Sequence, residues 1–412
     1  MDYYRPMDEK VIKSLCRELD LKKEQVFYSE SPLELSFVYK LKDVLRSKKE
    51  LFYPRMIPKV PMDINENTSM IQRIEQGDML LQYPYDSIYP FMKLLKEAVY
   101  DSRVVSIKIT LYRVAKNSRI VETLIEAAEN GKEVVVMIEL RARFDEKNNL
   151  EWSRRMEEAG CRIVYGIDFV KVHSKICLIT YSEDGVVKHI SQIGTGNYNE
   201  NTAKIYTDLS LITADNEIAQ EVAMTFNKIC MGQFVENTKH LLVAPKSMQD
   251  KVLEMIDTEI INVQKGKTGY IGLKMNSLTD KKIIDKLIEA SKAGVKIDMV
   301  VRGICCLIAG VKGETENITV RSIVGRFLEH SRIYIFGERD DERIYISSAD
   351  FMTRNMLRRI EVAVPIYDNK IKGRIWEMFH KLLNDNVNAL EMKADGSYEK
   401  VVCHGEKINS QQ

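Results

Sequence analysis

The sequence predicts an α/β protein made of two tandem domains of like topology, preceded by a short helical segment. Three observations carry that prediction. From Val104 onward, β-rich runs alternate with amphipathic helical runs, the pattern of a sheet covered by helices. IVETLIEAAENG at 120–131 returns as IIDKLIEASKAG at 283–294, and each leads into an apolar β run, EVVVMIEL and KIDMVVRG. The closing glycines lie 163 positions apart (294 less 131), and two H-x-[KR] motifs, at His173 and His330, lie 157 apart (330 less 173). One unit duplicated within the chain explains both spacings.

The 412 residues suffice for two or three domains with a sizeable core. Lys plus Arg number 61 and Asp plus Glu 60, a formal net charge of +1, so binding to nucleic acid through a broadly basic surface is not expected. A local basic pocket is compatible with that balance. No apolar run reaches the length of a membrane span, and no signal-peptide pattern opens the chain. The seven cysteines are odd in number and form no C-x-x-C pair, so reduced thiols in a cytoplasmic setting are expected. No Cys/His set has zinc spacing.

Taken in order, residues 11–21 read as a helix. A second helical run, 33–45, follows Ser31-Pro32, and Phe52-Tyr53-Pro54 and Ile57-Pro58 then break regularity. This opening segment lacks the apolar mass of a domain. Residues 104–112 form a strand, 120–129 a helix stopped by Gly131, and 133–140 a strand buried on both faces. A helix at 152–159 and a short strand at 162–165 lead to a hairpin that turns at Ser182-Glu183-Asp184-Gly185. A helix at 218–230 closes the first half. The second half repeats this order, ends in a helix over 370–390, and leaves a polar, mobile tail after Lys393. Gly266-Lys267-Thr268 resembles the end of a phosphate-binding loop, but the glycine required five residues earlier is Ile261, so it reads as a linker turn.

The hairpin carries the chemistry. Residues two apart on a strand share a face, so His173 and Lys175 project into one space. The return strand ends in Gly194-Thr195-Gly196-Asn197, where glycines permit close approach to an anion. In the second half Arg332 stands for Lys175, and Ser347-Ser348-Ala349-Asp350 for the glycine-rich turn, with Asp350 expected near His330. Two histidines facing one cavity suit phosphoryl transfer. Neutral imidazole, with a reference pKa of about 6.5, is a nucleophile near neutrality, and fixed cations must balance the transferring charge. Candidate cations are Arg113, Arg141, Arg143, Lys175, Arg302 and Arg332. Arg113, Arg143 and Arg302 follow β runs, at the strand ends where α/β proteins bind ligands. His189, His240, His380 and His404 read as structural or solvated.

The duplicated H-x-K and G-[ST]-x-N pairing resembles the phospholipase D superfamily. The longer strings VHSKICLIT, IGTGNYNENTAKIYTDLSLITAD, RFLEHSRIYIF and YISSADFMTRN are similar to the type 1 polyphosphate kinase family, over nearly everything from Leu51 onward. The resemblance implies two phospholipase D-like α/β domains at 60–245 and 246–412, with 1–59 as the remnant of a helical domain. It implies reversible transfer of the ATP γ-phosphate to inorganic polyphosphate through a phosphohistidine. Mg²⁺ would be the cofactor, ATP, ADP and polyphosphate the partners, and the full-length family homo-oligomeric. The implied location is the cytoplasm, including the inner face of the membrane. Position by position, His173 matches the phosphorylated histidine, and His330 the second essential histidine, which also contacts nucleotide. Tyr206 and Arg302 match nucleotide-binding positions. Arg113 and Arg143 match a magnesium–phosphate site, where donor-only arginines must act through phosphate. Lys175, Arg332 and Asn197 complete the phosphate-binding set read from the motifs. Two departures stand out. Thr180 and Gly337 occupy the positions, seven after each histidine, where the superfamily pattern has Asp. The family's N-terminal domain, which contributes an asparagine to ATP binding, has no counterpart in these residues. The alternatives are a phospholipase D-like phosphodiesterase and a non-catalytic polyphosphate-binding fragment.

Overall fold

The structure, a computed structural model, describes residues 1–139, 146–167, 169–338, 341–403 and 405–412. Leu140, Arg141, Arg143 and His404, which carry expectations above, lie outside the described residues. The chain divides into two compact units, residues 1–56 and 57–412.

In the first unit, β1 (Asp2–Tyr3) pairs in parallel with β2 (Phe27–Tyr28) around α1 (Glu9–Glu18), and α2 (Phe37–Val44) follows. Both expected helices are present but shorter than predicted. Neither buries a residue within this unit, and Phe27, Tyr28, Phe37 and Tyr39 are exposed.

The second unit holds two sheets of matching topology. After α3 (Met70–Glu75) come β3 (Met79–Tyr83), α4 (Tyr89–Tyr100), β4 (Val104–Leu111), α5 (Arg119–Glu129), β5 (Glu133–Ile138), α6 (Glu146–Glu158) and β6 (Arg162–Tyr165). A two-residue strand, β7 (Lys171–Val172), precedes the hairpin β8 (Ile176–Glu183) and β9 (Val186–Gly194), and β10 (Tyr206–Thr213) and α7 (Asn216–Cys230) close this half. The hairpin turn is tighter than predicted. Ser182 and Glu183 stay in the ladder, and only Asp184 and Gly185, with φ of 52° and 79°, form the two-residue loop that such φ values favour. The second half supplies β11 (Leu242–Ala244), α8 (Met248–Gln264), β12 (Tyr270–Met275), α9 (Lys281–Lys292), β13 (Lys296–Val301) and β14 (Ile318–Ile323). The two-residue β15 (Leu328–Glu329) comes next, then β16 (Arg332–Phe336), β17 (Arg343–Ser347), α10 (Thr353–Arg358), β18 (Arg359–Pro365) and α11 (Asn369–Leu383).

The first sheet runs β10-β9-β8-β4-β5-β6 and the second β18-β17-β16-β12-β13-β14. In each, three strands are parallel and the other three antiparallel. Helices join all three parallel strands of the first sheet, whereas in the second α9 joins β12 to β13 and a non-helical stretch joins β13 to β14. The repeated helices α5 and α9 start alike, on Ser118 and Asp280, whose side chains accept from the N–H of Val121 and Ile283. Such a cap is worth about 1 kcal/mol. They also stop alike, on Gly131 and Gly294 at φ of 81° and 95°. α4 and α5 cover the outer face of the first sheet, and α8 and α9 that of the second. The inner faces of both sheets share one core with α7 and α11, joining Leu178 and Leu211 to Ile333, Ile346 and Phe379.

Two short strands cross between the halves. β7 pairs in parallel with β18 of the second sheet, and β15 in parallel with β10 of the first. Each immediately precedes a motif histidine.

The C-terminal region departs from expectation. α11 ends at Leu383, where the next polar stretch, Asn384 to Asn388, breaks the helical pattern. β19 (Ala389–Met392) and β20 (Tyr398–Lys400) then extend the second sheet. The tail after Lys393 is not loose. Asp385 accepts from the Ser410 N–H and hydroxyl at 2.8 and 2.6 Å, and Gln411 is buried. A polar tail mimics a solvated one in sequence. Here its amides and hydroxyls serve as hydrogen-bond partners for buried groups.

Candidate active site

The crossing strands deliver each histidine to a carboxylate of the other half. His173 Nδ1 lies 2.9 Å from Glu361 Oε2, on β18. His330 Nδ1 lies 2.9 Å from both Asp208 carboxylate oxygens, on β10. Each carboxylate is the third residue of its strand, next to the residue pairs that β7 and β15 bind. A hydroxyl buttresses each: Thr195 Oγ1 donates to Asp208 at 2.6 Å, and Ser348 Oγ to Glu361 at 2.5 Å. Asn355 Nδ2 satisfies the other Glu361 oxygen at 2.5 Å. The duplication thus extends to the polar groups of the site.

It extends further to the backbone around each histidine. Thr110 Oγ1 donates to the Ser174 carbonyl at 2.8 Å, and Lys274 Nζ to the equivalent Ser331 carbonyl at 3.1 Å. Glu139 accepts the N–H of Val172 at 3.0 Å, whereas Arg302 Nε donates to the carbonyl of Glu329 at 2.6 Å. Both residues sit one past a central parallel strand and hold the residue before a histidine, with opposite charge.

His173, Lys175, His330 and Arg332 form one buried cluster. Lys175 Nζ donates to the His173 carbonyl and lies 5.4 Å from the Tyr112 ring centroid, which meets the His173 ring edge-on at 5.1 Å. Arg332 grips Asp350 with Nε and Nη2, both at 3.2 Å, and donates to the carbonyls of His330 and Thr195 at 2.8 and 3.3 Å. The expected neighbour of His330, Asp350, is therefore committed to Arg332, and the ring takes Asp208. Burial, reinforced by the charges of Lys175, Arg359 and Arg332, holds His173 well below the ordinary histidine value. Burial also lowers His330, although Asp208 pulls the other way. Lys175 is pushed down to about 7 by burial, against the pull of Glu361, and Glu361 is pushed up to about 7 by burial, against Lys175. Burial alone would raise Asp350, but Arg332 reverses this and holds it at about 2.

The glycine-rich turn differs from an open cradle. Gly194 N–H donates to the Lys175 carbonyl and Thr195 N–H to the Leu209 carbonyl, both at 2.9 Å. Gly196 is glycine because a Cβ there would collide with the Asp208 carboxylate. Asn197 Oδ1 is buried without a hydrogen-bond partner. Tyr206 packs its ring on His330 at 5.2 Å, and half-buried Arg302 also holds Asn276 Oδ1 through Nη2 at 2.8 Å. Arg113 follows β4, next to Tyr112; Arg143 lies outside the described residues. Thr180 is far from this chemistry, its hydroxyl 3.0 Å from His189 Nδ1, and Gly337 follows β16.

Sequence reasoning missed Glu361, Asp208, Glu139, Tyr112 and Arg359. The two carboxylates had a signal: each is a lone acid in an apolar strand, IEVAVPI and TDLSLIT, and a buried unpaired acid is costly. Glu139 and Arg359 had none, because their roles depend on strands crossing between halves.

A pair of α/β sheets, each lending its histidine strand to the other's carboxylate, defines a two-domain phospholipase D-like protein. Phosphatidylserine synthase of Haemophilus influenzae shares the fold at a TM-score of 0.52 and 11% identity, covering 81% of this chain and 92% of that one. Residues 69–234 match the family description "Polyphosphate kinase C-terminal domain 1" and residues 241–412 "Polyphosphate kinase C-terminal domain 2". Polyphosphate kinase of Bacillus anthracis is 42% identical over 407 residues, 98% of this chain and 58% of that protein. That of Pseudomonas aeruginosa is 42% identical over 388 residues, 94% of this chain and 56% of that one. The crystal structure of polyphosphate kinase from Porphyromonas gingivalis superposes at a TM-score of 0.86 with 36% identity, covering 100% of this chain and 63% of that chain. The chain belongs to the polyphosphate kinase family and corresponds to its C-terminal portion. It spans less than two thirds of the length of these relatives.

Proposed function

We propose that this chain carries the phosphoryl-transfer centre of a polyphosphate kinase, with His173 as the nucleophile. The observation that supports it best is the His173–Glu361 pair. A carboxylate on Nδ1 selects the tautomer protonated there and leaves the Nε2 lone pair free. Burial keeps the imidazole neutral, hence nucleophilic. Nε2 attacks the γ-phosphorus of ATP; the N–P bond forms, the bond from phosphorus to the β,γ-bridging oxygen breaks, and ADP departs. A terminal oxygen of polyphosphate then attacks the same phosphorus, and the N–P electrons return to Nε2. Glu361 stabilises the positive ring while the phosphate is attached. Arg332 supplies permanent positive charge to the transferring group, and Lys175, whose proton affinity rises when a polyanion enters, adds to it. His330, whose proton affinity rises when a polyanion enters, protonates the departing oxygen, and Tyr206 and Arg302 hold nucleotide beside it. Asn197, through its side-chain N–H groups, is a further phosphate contact.

Among the described residues no set of three His, Cys, Asp or Glu side chains could hold a metal. Mg²⁺ is accordingly assigned to the nucleotide substrate, held by phosphate and water, with Arg113 and Arg143 gripping phosphate oxygens. The reading places the protein in the cytoplasm, as a homo-oligomer in its full-length form. No helix among the described residues is long and apolar enough to cross a membrane. Incubation with γ-³²P-ATP tests the proposal. Acid-labile, alkali-stable label on the peptide containing His173 is expected. Label confined to other peptides, or diester hydrolysis without label, would overturn it.

A further inference from the structure

The parallel pairing that seats His330 is only two residues long, Tyr206 with Leu328 and Thr207 with Glu329. So short a ladder holds little by itself. Gln411, from the chain's last residues, reinforces it. Its Oε1 accepts the Phe327 N–H at 2.8 Å, and its Nε2 donates to the Phe327 carbonyl at 2.9 Å. The side-chain amide thereby pairs with both backbone groups of one residue, as a neighbouring antiparallel strand would. Nε2 also donates to Glu329 Oε1 at 2.7 Å. The other Glu329 oxygen accepts Thr207 Oγ1 at 2.9 Å and pairs with Lys274 Nζ at 2.9 Å. Thr207 Oγ1 in turn accepts the backbone N–H of His330 at 3.1 Å. An unbroken relay of hydrogen bonds therefore leads from Gln411 to the histidine, next to Asp208.

The fit is specific. Gln411 is 1% exposed, and a Cβ on Gly325 would lie 2.6 Å from its Oε1. Among the described residues the first half shows no such clasp. There the residue before His173 is held by Glu139, within its own domain.

We infer that Gln411 is a positioning residue: its amide clasps the strand that seats His330 against Asp208. The catalytic importance of that seating rests on the function proposed above; the clasp itself does not.

Hydrogen exchange of the whole chain, read on the 326–332 segment, tests it. Gln411→Ala and Gly325→Ala should each lower protection of that segment about tenfold, the loss expected when a buried hydrogen-bond partner goes. The double variant should lose no more than either alone, because both remove the same clasp. Gln411→Glu should lose protection at about pH 8 and regain it at about pH 5, where a protonated carboxyl again offers one acceptor and one donor. A merely structural filler would show no such rescue. In parallel, kcat for phosphoryl transfer should fall about tenfold in Gln411→Ala. Unchanged protection in both single variants, or no rescue of Gln411→Glu, would overturn the clasp. Absence of transfer by the unaltered chain would count against the proposed function and leave the exchange comparison decisive.

Discussion

The His173 half and the His330 half share one scaffold and differ in whether their charges can change. Around His173, burial pushes Lys175 down to about 7 and Glu361, contributed by the other half, up to about 7. Around His330 the equivalent positions hold Arg332, which stays charged, and Asp208, whose carboxyl burial would raise but the His330 ring holds below its ordinary value. The residue one past the central strand is Glu139 in the first half and Arg302 in the second. Duplication supplied two equivalent imidazole–carboxylate pairs. The two sites then differ in their cations: beside His173 stands a lysine whose proton affinity burial lowers, and beside His330 an arginine that stays charged.

The comparison can be broken most severely at the nucleophile. His173→Gln should reduce label incorporation from γ-³²P-ATP to background while the circular dichroism spectrum stays native. Gln is preferred to Ala because the ring is buried against Tyr112 and Glu361. Label retained at the wild-type level would end the assignment.

Next in size, His330→Ala should slow turnover about 10²–10⁴-fold, the range for losing a general acid, yet leave slow labelling of His173. Mass spectrometry of the phosphopeptides decides the roles. Phosphate on His330 and none on His173 in the unaltered protein would reverse the two halves.

A smaller effect separates the carboxylates. With Glu361 at about 7, lowering the pH through 7 protonates it in the folded protein and removes the negative charge facing His173 Nδ1–H. The rate of His173 labelling should therefore fall on the acid side of about pH 7. Glu361→Gln should lower the plateau about 10²-fold and abolish that limb. Asp208→Asn should leave the limb in place, since Asp208 stays ionised far below it. A limb that survives Glu361→Gln would refute the assignment.

The smallest contrast lies in the turns. Gly196 has Ala349 as its second-half counterpart, one residue after the buttressing hydroxyl in each case. Gly196→Ala should push Asp208 away from His330 and cost about 1–3 kcal/mol in chemical denaturation. Ala349→Gly should cost under about 1 kcal/mol, chiefly by loosening the unfolded chain. Equal losses at the two sites would show that the collision with Asp208 is not what keeps Gly196 a glycine.

Much of this was legible in the sequence. The helices ending at Gly131 and Gly294, the hairpin after His173 and the duplication all rest on local periodicity and turn chemistry, and all are present. The four charged or imidazole side chains of the cluster were legible from the two H-x-[KR] motifs, although His173 and Lys175 lie between β7 and β8 and not on one strand, and His330 lies just before β16. The partners of the histidines were not, because they come from the opposite half through pairings only two residues long. The ordered tail was misread for a related reason: polar residues that satisfy buried groups carry the same composition as polar residues in water. The glycine-rich turn was read as open to phosphate, whereas packing had already placed Asp208 there.

The exchange of β7 and β15 between sheets has a mechanical consequence. A hinge that parted the two halves would pull both imidazoles off their acids in the same movement, so no intermediate opening keeps one pair intact. Any jaw-like parting of the domains would therefore break two buried pairs at once. The same reciprocity means that neither half, expressed by itself, would contain even one complete pair.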